Sequence, residues 1–300
     1  MVAFTIRIDE KECTNCGLCV KDCASGCLQP RGERPAAAHP EWCTRCSHCV
    51  AICPVDAIEH GGLGGGHLRP IKRDKLDAES YREIVISRRS VRWFKPEPVA
   101  WEEVQELLEA ARYSPTASNT MDVGYTVVLD RALIRQTGLG IFSTGARLKR
   151  FMDTVPGKLL RRLLQRSETM QILERYGDRI ELYQGVVARG RDPICYDAPA
   201  LILIHGPESG RFVRENCAIA GANLTNYAHA KGYGTCYLGF VVLALDWDKK
   251  LRGRLAVPRG RRAYLALVLG RPAHRYRNPV LRPPAEVNWV GAEESRCNAS

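Results

Sequence analysis

Two runs of cysteine set the first constraint on this chain. Cys13, Cys16, Cys19 and Cys23 follow the spacing C-x2-C-x2-C-x3-C, and Cys43, Cys46, Cys49 and Cys53 repeat it thirty residues later. The repeat reaches past the cysteines, because Gly26-Cys27-Leu28 aligns with Asp56-Ala57-Ile58. Of 13 cysteines in 300 residues, nine lie between Cys13 and Cys53. The total is odd, and the first residues have no apolar stretch behind a basic head, so a secreted disulfide scaffold explains the pattern poorly. In a reducing compartment, thiols this close bind metal or do redox work. Zinc knuckles use two C-x2-C pairs separated by a longer spacer, whereas here three cysteines and a fourth at x3 occur twice. Three thiolates two residues apart suit one face of an iron–sulfide cube, and the fourth cysteine of each run then serves the other cube. Cys13, Cys16, Cys19 and Cys53 are therefore expected to hold one [4Fe–4S] cluster. Cys43, Cys46, Cys49 and Cys23 are expected to hold a second.

Pro54 follows Cys53, and residues 3–60 resemble the bacterial ferredoxin family. In the first run Ala24 stands where that family has proline. The resemblance implies a small ferredoxin-like 2[4Fe–4S] domain over residues 1–60. Cys27 is spare, and its alignment with Ala57 favours a small buried side chain over a substitute ligand. Two clusters side by side form a wire, and a wire joined to a larger domain is expected to feed a second redox centre.

His60-Gly-Gly-Leu-Gly-Gly-Gly-His67 closes the repeat, and residues 61–75 read as a Gly-rich linker. No strand–helix pattern frames these glycines, so they do not make a dinucleotide fingerprint. Residues 76–300 read as a mixed α+β domain. Val104, Leu107, Leu108 and Ala111 recur at helical spacing, which predicts an amphipathic helix over 101–112. Tyr125–Leu129, Ala200–His205 and Ala263–Leu269 read as strands. Residues 215–231 read as a buried helix that Gly232 ends in the left-handed conformation. Residues 147–191 carry 11 Lys and Arg against 5 Asp and Glu, with Leu159, Leu160, Leu163 and Leu164 on one stripe. This basic segment is expected to be a helical insertion packed over the core as a lid. The longest apolar run, Ala200–Ile204, falls far short of the ~18 residues of a membrane span.

The stretch Ser87-Arg-Arg-Ser-Val-Arg-Trp-Phe94 places Arg88, Arg89, Ser90 and Arg92 within five positions. Arginine's planar fork of donors suits phosphate, and serine adds a hydroxyl. This turn, the Ala-Ala-Arg helix end at Arg112 and the loop Ser114-Pro-Thr-Ala-Ser-Asn119 resemble the opening of the nitroreductase family of FMN flavoproteins. Asp197–Ile204 resembles that family's central strand, Asn216–Gly239 its long helix and flavin loop, and Leu269–Pro272 its last core strand. The resemblance implies a mixed sheet flanked by helices, bound FMN, and a homodimer with the flavin between subunits. It places Arg88, Arg89, Ser90 and Arg92 on the FMN phosphate and ribityl chain. It places Ser118 and Asn119 near the flavin of the other subunit, and Leu238 and Gly239 near the ring through backbone groups. Arg282 resembles a late phosphate-binding arginine, with Arg277 as a competing choice. Thr120-Met121-Asp122 replaces the Gln-Pro that often follows the loop asparagine, and Arg271 replaces a common tyrosine, so the substrate wall differs. No protein acid or base is singled out, since Cys236 and Tyr237 carry no spacing signal.

Charge is unevenly placed: residues 1–60 sum to −2 and residues 61–300 to +13. No nucleic-acid signature accompanies the basic excess, so nucleic acid is not an expected partner. An acidic partner or an anionic cofactor is. The expected whole is a cytoplasmic, homodimeric iron–sulfur flavoprotein. It would take electrons from a small acidic carrier, a ferredoxin or flavodoxin, in preference to a nicotinamide. They would pass through two clusters to FMN and on to a nitro-type or similar small electrophilic acceptor. Quinones, halogenated compounds and activated double bonds are alternative acceptors on the same scaffold. A module of a larger complex with no substrate of its own is a further alternative.

Overall fold

The computed structural model describes residues 4–64, 69–163 and 168–291. The cysteine-rich region is built from two hairpin-like pairs. β1 (Ile6–Ile8) pairs antiparallel with β4 (Ile58–His60), and β2 (Leu28–Arg31) with β3 (Arg34–Ala37). Single-turn helices α1 (Leu18–Lys21) and α2 (His48–Ile52) follow the first two cysteines of each run and carry the third, Cys19 and Cys49. The thirty-residue repeat is written into the backbone. Asn15 and Arg45 share φ 56, Gly17 and Ser47 have φ 72 and 63, and Gly26 and Asp56 have φ 69 and 52. A residue with a Cβ costs roughly 1–2 kcal/mol in this left-handed region. Arg45 and Ser47 are held there because each cysteine run has to curl around one centre. Cys19, Leu28, Val50 and Ile58 form the small core between the two halves.

The larger region is organised by a four-stranded antiparallel sheet. β5 (Gly124–Val128), β6 (Ala200–Pro207), β7 (Gly234–Tyr237) and β8 (Arg261–Gly270) take the order β5-β6-β8-β7. The central strands are apolar on both faces, which is why they read as unbroken apolar runs. Leu201, Leu203, Ala266 and Val268 face one core, and Ala200, Ile202, Ile204, Leu267 and Leu269 face the other. On the second face pack α4 (Trp101–Ala111), through Val104, Leu107 and Ala111, and the long α9 (Val213–Ala230), through Cys217, Leu224 and Ala228. On the first face pack α5 (Arg131–Met152), through Ile134, and α10 (Gly239–Trp247), through Val241 and Leu245. Helix starts follow capping chemistry: Asp77 caps α3 (Ala78–Ser87), Asp130 caps α5, and Asp248 caps α11 (Lys249–Arg254) with side-chain oxygens that accept backbone N–H bonds. Gly232, at φ 78, ends the α9 turn in the left-handed region, as its position implies. The segment after β8 runs back along the molecule, where Ala273 N–H donates to Trp93 O and Val280 N–H to Ile86 O.

The basic segment departs from its expectation. α5 already begins at Arg131, and the segment continues as α6 (Val155–Leu163), α7 (Glu168–Tyr176) and α8 (Ile180–Ala188). Its leucine stripe does not cover the core: Leu159 is 63% and Leu163 77% exposed. Leu164 lies outside the described residues. Gly157 abuts the Phe151 carbonyl closer than any Cβ permits, so α6 is folded sharply against the end of α5. The segment meets the core through aromatic edges instead, Tyr176 on Phe240 at 5.4 Å and Tyr183 on Phe142 at 6.4 Å. Among the described residues, no helix is long and apolar enough to cross a membrane.

Candidate redox site

Folding brings the cysteines of the first expected group to a common opening. Cys13, Cys16, Cys19 and Cys53 border one cavity, walled by Ile8, Pro35, Pro54 and Ile58. Burial pushes the Cys19 thiol up, and the neighbouring Cys13 and Cys16 push it further. Burial likewise raises Cys49 to about 11, with Cys46, Cys43 and Cys23 adding to it. Thiols that resist ionising together are the natural seat of a cationic iron core, which lets all four lose their protons. The thiols border an opening rather than meet at a point; among the described residues no three His, Cys, Asp or Glu side chains close around a single-ion position. Backbone donors already face three of the sulfurs: Ala57 N–H lies 3.2 Å from Cys53 Sγ, Arg45 N–H 3.3 Å from Cys43 Sγ and Leu28 N–H 3.4 Å from Cys23 Sγ. Cys27 is 2% exposed, and burial, then Cys43 and Cys23, raise its thiol to about 12.

One neighbour of this site has no spacing signal. His60 ends the expected ferredoxin-like domain in sequence without standing out as part of its site, yet it is buried on β4 with Nε2 3.3 Å from Cys43 Sγ. Gly61 and Gly62, within the expected linker, pack on the module. Gly61 N–H donates to Thr5 O, and a Cβ on Gly62 would meet Phe4 at 2.9 Å.

The Arg88–Arg92 turn leaves the C-terminus of α3, where cations oppose the helix dipole. It is pinned to the edge strand: Ser90 bridges Thr235, and Val91 N–H donates to Thr235 O at 2.9 Å. Gly234 is glycine because Val91 lies where its Cβ would stand. The arginines divide. Arg89 Nη2 donates to Asn278 O at 2.7 Å and its guanidinium lies 4.3 Å over Tyr276, so it grips the returning tail. Its Nε is buried with no partner among the described residues, a donor that an anion would satisfy. Arg92 lies 5.9 Å from the Tyr196 ring. Burial pushes the nearby Cys236 thiol up, while Arg92 and Ser90 pull it the other way. Leu238 is buried, and its N–H already donates to Ala266 O at 2.8 Å. The backbone donor offered at this corner is therefore Gly239, in the orphan first turn of α10. Arg277 and Arg282 are both exposed on the tail, on either side of the Val280 bond to Ile86.

Ser118 and Asn119 lie elsewhere. Their loop carries three non-glycine residues in the left-handed region, Ser118, Asn119 and Met121 at φ 51, 50 and 49. Such strain costs about 1–3 kcal/mol per residue and gathers at functional sites. Asn216 holds the loop. It is 3% exposed, accepts from Ala117 N–H at 2.9 Å, and donates to Asp122 Oδ1 at 3.0 Å. Asn216 sits near the start of α9, and His229 near its end meets Ser87 Oγ at 2.8 Å, beside the arginine turn. Thirteen helical residues separate the two, so within one subunit the loop and the turn stand about 20 Å apart. Asn119 instead reaches the cysteine module, with Nδ2 donating to Thr44 O at 2.9 Å.

A buried acid completes the surroundings. Asp192 is 1% exposed, and desolvation raises its carboxyl to about 6. Its Oδ1 accepts from Ile194 and Cys195 N–H at 2.8 and 3.1 Å, and it presses on Gly138 of α5.

Comparison with known proteins places both regions. Residues 85–271 match the Nitroreductase family, and residues 12–58 match the 4Fe-4S dicluster domain. A ferredoxin of Methanothermococcus thermolithotrophicus is 35% identical over 56 residues, which span 19% of this chain and 93% of that one. Ferredoxin-3 of a Nostoc species is 31% identical over 78 residues, spanning 20% of this chain and 80% of its own. A nitroreductase with bound FMN from Desulfitobacterium hafniense superposes with a TM-score of 0.51 at 19% identity, over 70% of this chain and 97% of that one.

Proposed function

The chain belongs to the nitroreductase family and carries an N-terminal 4Fe–4S dicluster domain, and from that premise we propose that it is an iron–sulfur flavoprotein that reduces a small electrophilic acceptor, a nitro compound first among them. The groups supply, when bound, one-electron transfer by two clusters and two-electron delivery by FMN. This chain's residues bind and orient. Cys13, Cys16, Cys19 and Cys53 hold one cluster, and Cys43, Cys46, Cys49 and Cys23 the other. Arg88, Ser90 and Arg92 bind the flavin phosphate at the β7 edge, with the unpaired Arg89 Nε turned to the same anion. Gly239 offers its N–H toward the ring, and Ser118 and Asn119 complete the site from the second subunit of a homodimer. The residues fit these groups: four of the thiols line a cavity, Cys43, Cys46 and Cys23 lie near enough to Cys49 to raise its thiol, and the phosphate turn keeps an unsatisfied donor.

The observation that carries the reading is the join between modules, Asn119 Nδ2 on the Thr44 carbonyl. Thr44 lies between two cysteines of the second run, so the cluster loop abuts the loop assigned to the flavin. A short path of this kind suits electron input through the module. The +13 beyond residue 60 favours a small acidic carrier as donor, drawn by charge. The test is anaerobic purification followed by assay of iron, sulfide and released flavin. About eight iron and eight sulfide per chain, the content of two cubanes, with about one FMN, is the expected result. Turnover of a nitroaromatic panel should exceed that of quinones. Zinc in place of iron, or no flavin, overturns the reading.

A further inference from the structure

The two cysteine groups are twins in sequence but not in surroundings. At the second, His60 Nε2 lies 3.3 Å from Cys43 Sγ. The tautomer is fixed from the other side of the ring. Gly62 N–H donates to His60 Nδ1 at 3.1 Å, so Nδ1 carries a lone pair and the neutral ring bears its hydrogen on Nε2. Phe4 stacks on the imidazole at 4.9 Å and 21°, and the histidine is 8% exposed, so the ring cannot swing toward water. At the first group the thirty-residue repeat replaces His60 by Pro30. Pro30 pairs across the hairpin with Pro35, and Pro35 borders the cavity of Cys13. Proline offers no N–H. The polar side chain beside Cys13 Sγ is Asn15, 3.6 Å away on an exposed turn that water solvates.

Hydrogen bonds to ligand sulfur and exclusion of solvent tune the potential of an iron–sulfur centre. A donor at sulfur favours the more negative, reduced state. We propose that His60 is a positioning residue for the cluster held by Cys43, Cys46, Cys49 and Cys23: its Nε2–H donates to Cys43 Sγ and lifts that cluster's reduction potential above its twin's. One electron shared by the pair then rests on the side that touches Asn119, next to the flavin domain. No bond to the protein forms or breaks; the electron comes from the reduced carrier, or from dithionite in the test.

The inference rests on the two-cluster reading, so iron and sulfide are assayed first on the full-length protein. Fewer than two clusters per chain overturns that reading and this inference with it. With both clusters present, a dithionite titration followed by electron paramagnetic resonance gives two midpoints, and a Cys46→Ser variant shows which signal belongs to the second group. His60→Phe keeps the stacked ring and removes the donor. Its expected effect is at least a tenfold change in the reduced-to-oxidised ratio of the second cluster at fixed potential, about 59 mV downward for a one-electron couple. The first cluster stays in place, and His60→Gln recovers part of the shift. Unchanged potentials, an equal shift of both clusters, or no recovery with glutamine overturns the proposal. A second measurement covers a variant that does not assemble: the wild-type protein with 15N-histidine should show a nitrogen coupling to the second cluster, and its absence overturns the proposal too.

Discussion

Arg88 and Arg92 differ from Arg89 in what holds them. Arg89 is committed to the tail through Asn278 and Tyr276, so Arg89→Ala should loosen the tail as well as the anion site. Arg88→Ala should weaken flavin binding alone, and Arg92→Ala should weaken it while also releasing the Tyr196 side chain. A charge-assisted bond to phosphate contributes about 1.5–3 kcal/mol, so affinity should fall roughly tenfold or more. Titration of deflavinated protein with FMN measures this, with iron content unchanged. Asp192 makes a second residue-level prediction. Its folded carboxyl, at about 6, lies above the 3.8 of an unperturbed aspartate, so the native state binds its proton more tightly than the unfolded chain. The contribution from this group is full below about pH 4 and is lost as pH rises through about 6. The loss is about 2–3 kcal/mol by linkage. Urea denaturation at pH 5 and pH 7 should show Asp192→Asn gaining on the wild type at the higher pH. The cysteines and the arginine turn were legible because ligand spacing and clustered charge are local signals. Asn216 and His60 were not. Asn216 acts on Ala117, 99 residues away, and a lone polar residue in a helix pattern carries no such address.

The strands and the α4 and α9 helices follow the apolar pattern because their partners bury both sheet faces. The basic segment broke the pattern because a leucine stripe specifies an apolar face but not what covers it. At this scale the edge strand β7 is the element on which the phosphate turn hangs, and Gly234 is its tight point. A Cβ there would meet Val91 at 2.7 Å. Gly234→Ala should displace Val91 and the turn with it, lowering FMN affinity as Arg88→Ala does although no charge is removed. The melting temperature should fall by a few degrees, the scale of about 1 kcal/mol in a domain of this size. Flavin titration beside a thermal melt checks both, and an unchanged affinity would detach the turn from the strand.

At the scale of the whole molecule, the loop and the turn proposed for one flavin stand about 20 Å apart along α9. A monomer cannot close that gap without unpicking the helix, so FMN-loaded protein should run as a dimer in light scattering at micromolar concentration. The Asn119 contact then has a genetic consequence. If a flavin is held by one subunit's arginine turn and its partner's loop, the cysteine module docked on that loop serves the partner's phosphate site, and the wiring crosses the dimer. Two damaged alleles should therefore rescue each other. A subunit carrying Cys46→Ser lacks a working module but keeps its turn, and one carrying Arg88→Ala has the reverse. With FMN held below the weakened affinity of the Arg88→Ala site, each homodimer should be nearly inactive with a carrier as donor, whereas the mixed dimer, isolated with two different affinity tags, should regain one working site of two. Wiring within a subunit would leave both halves of that mixed dimer dead.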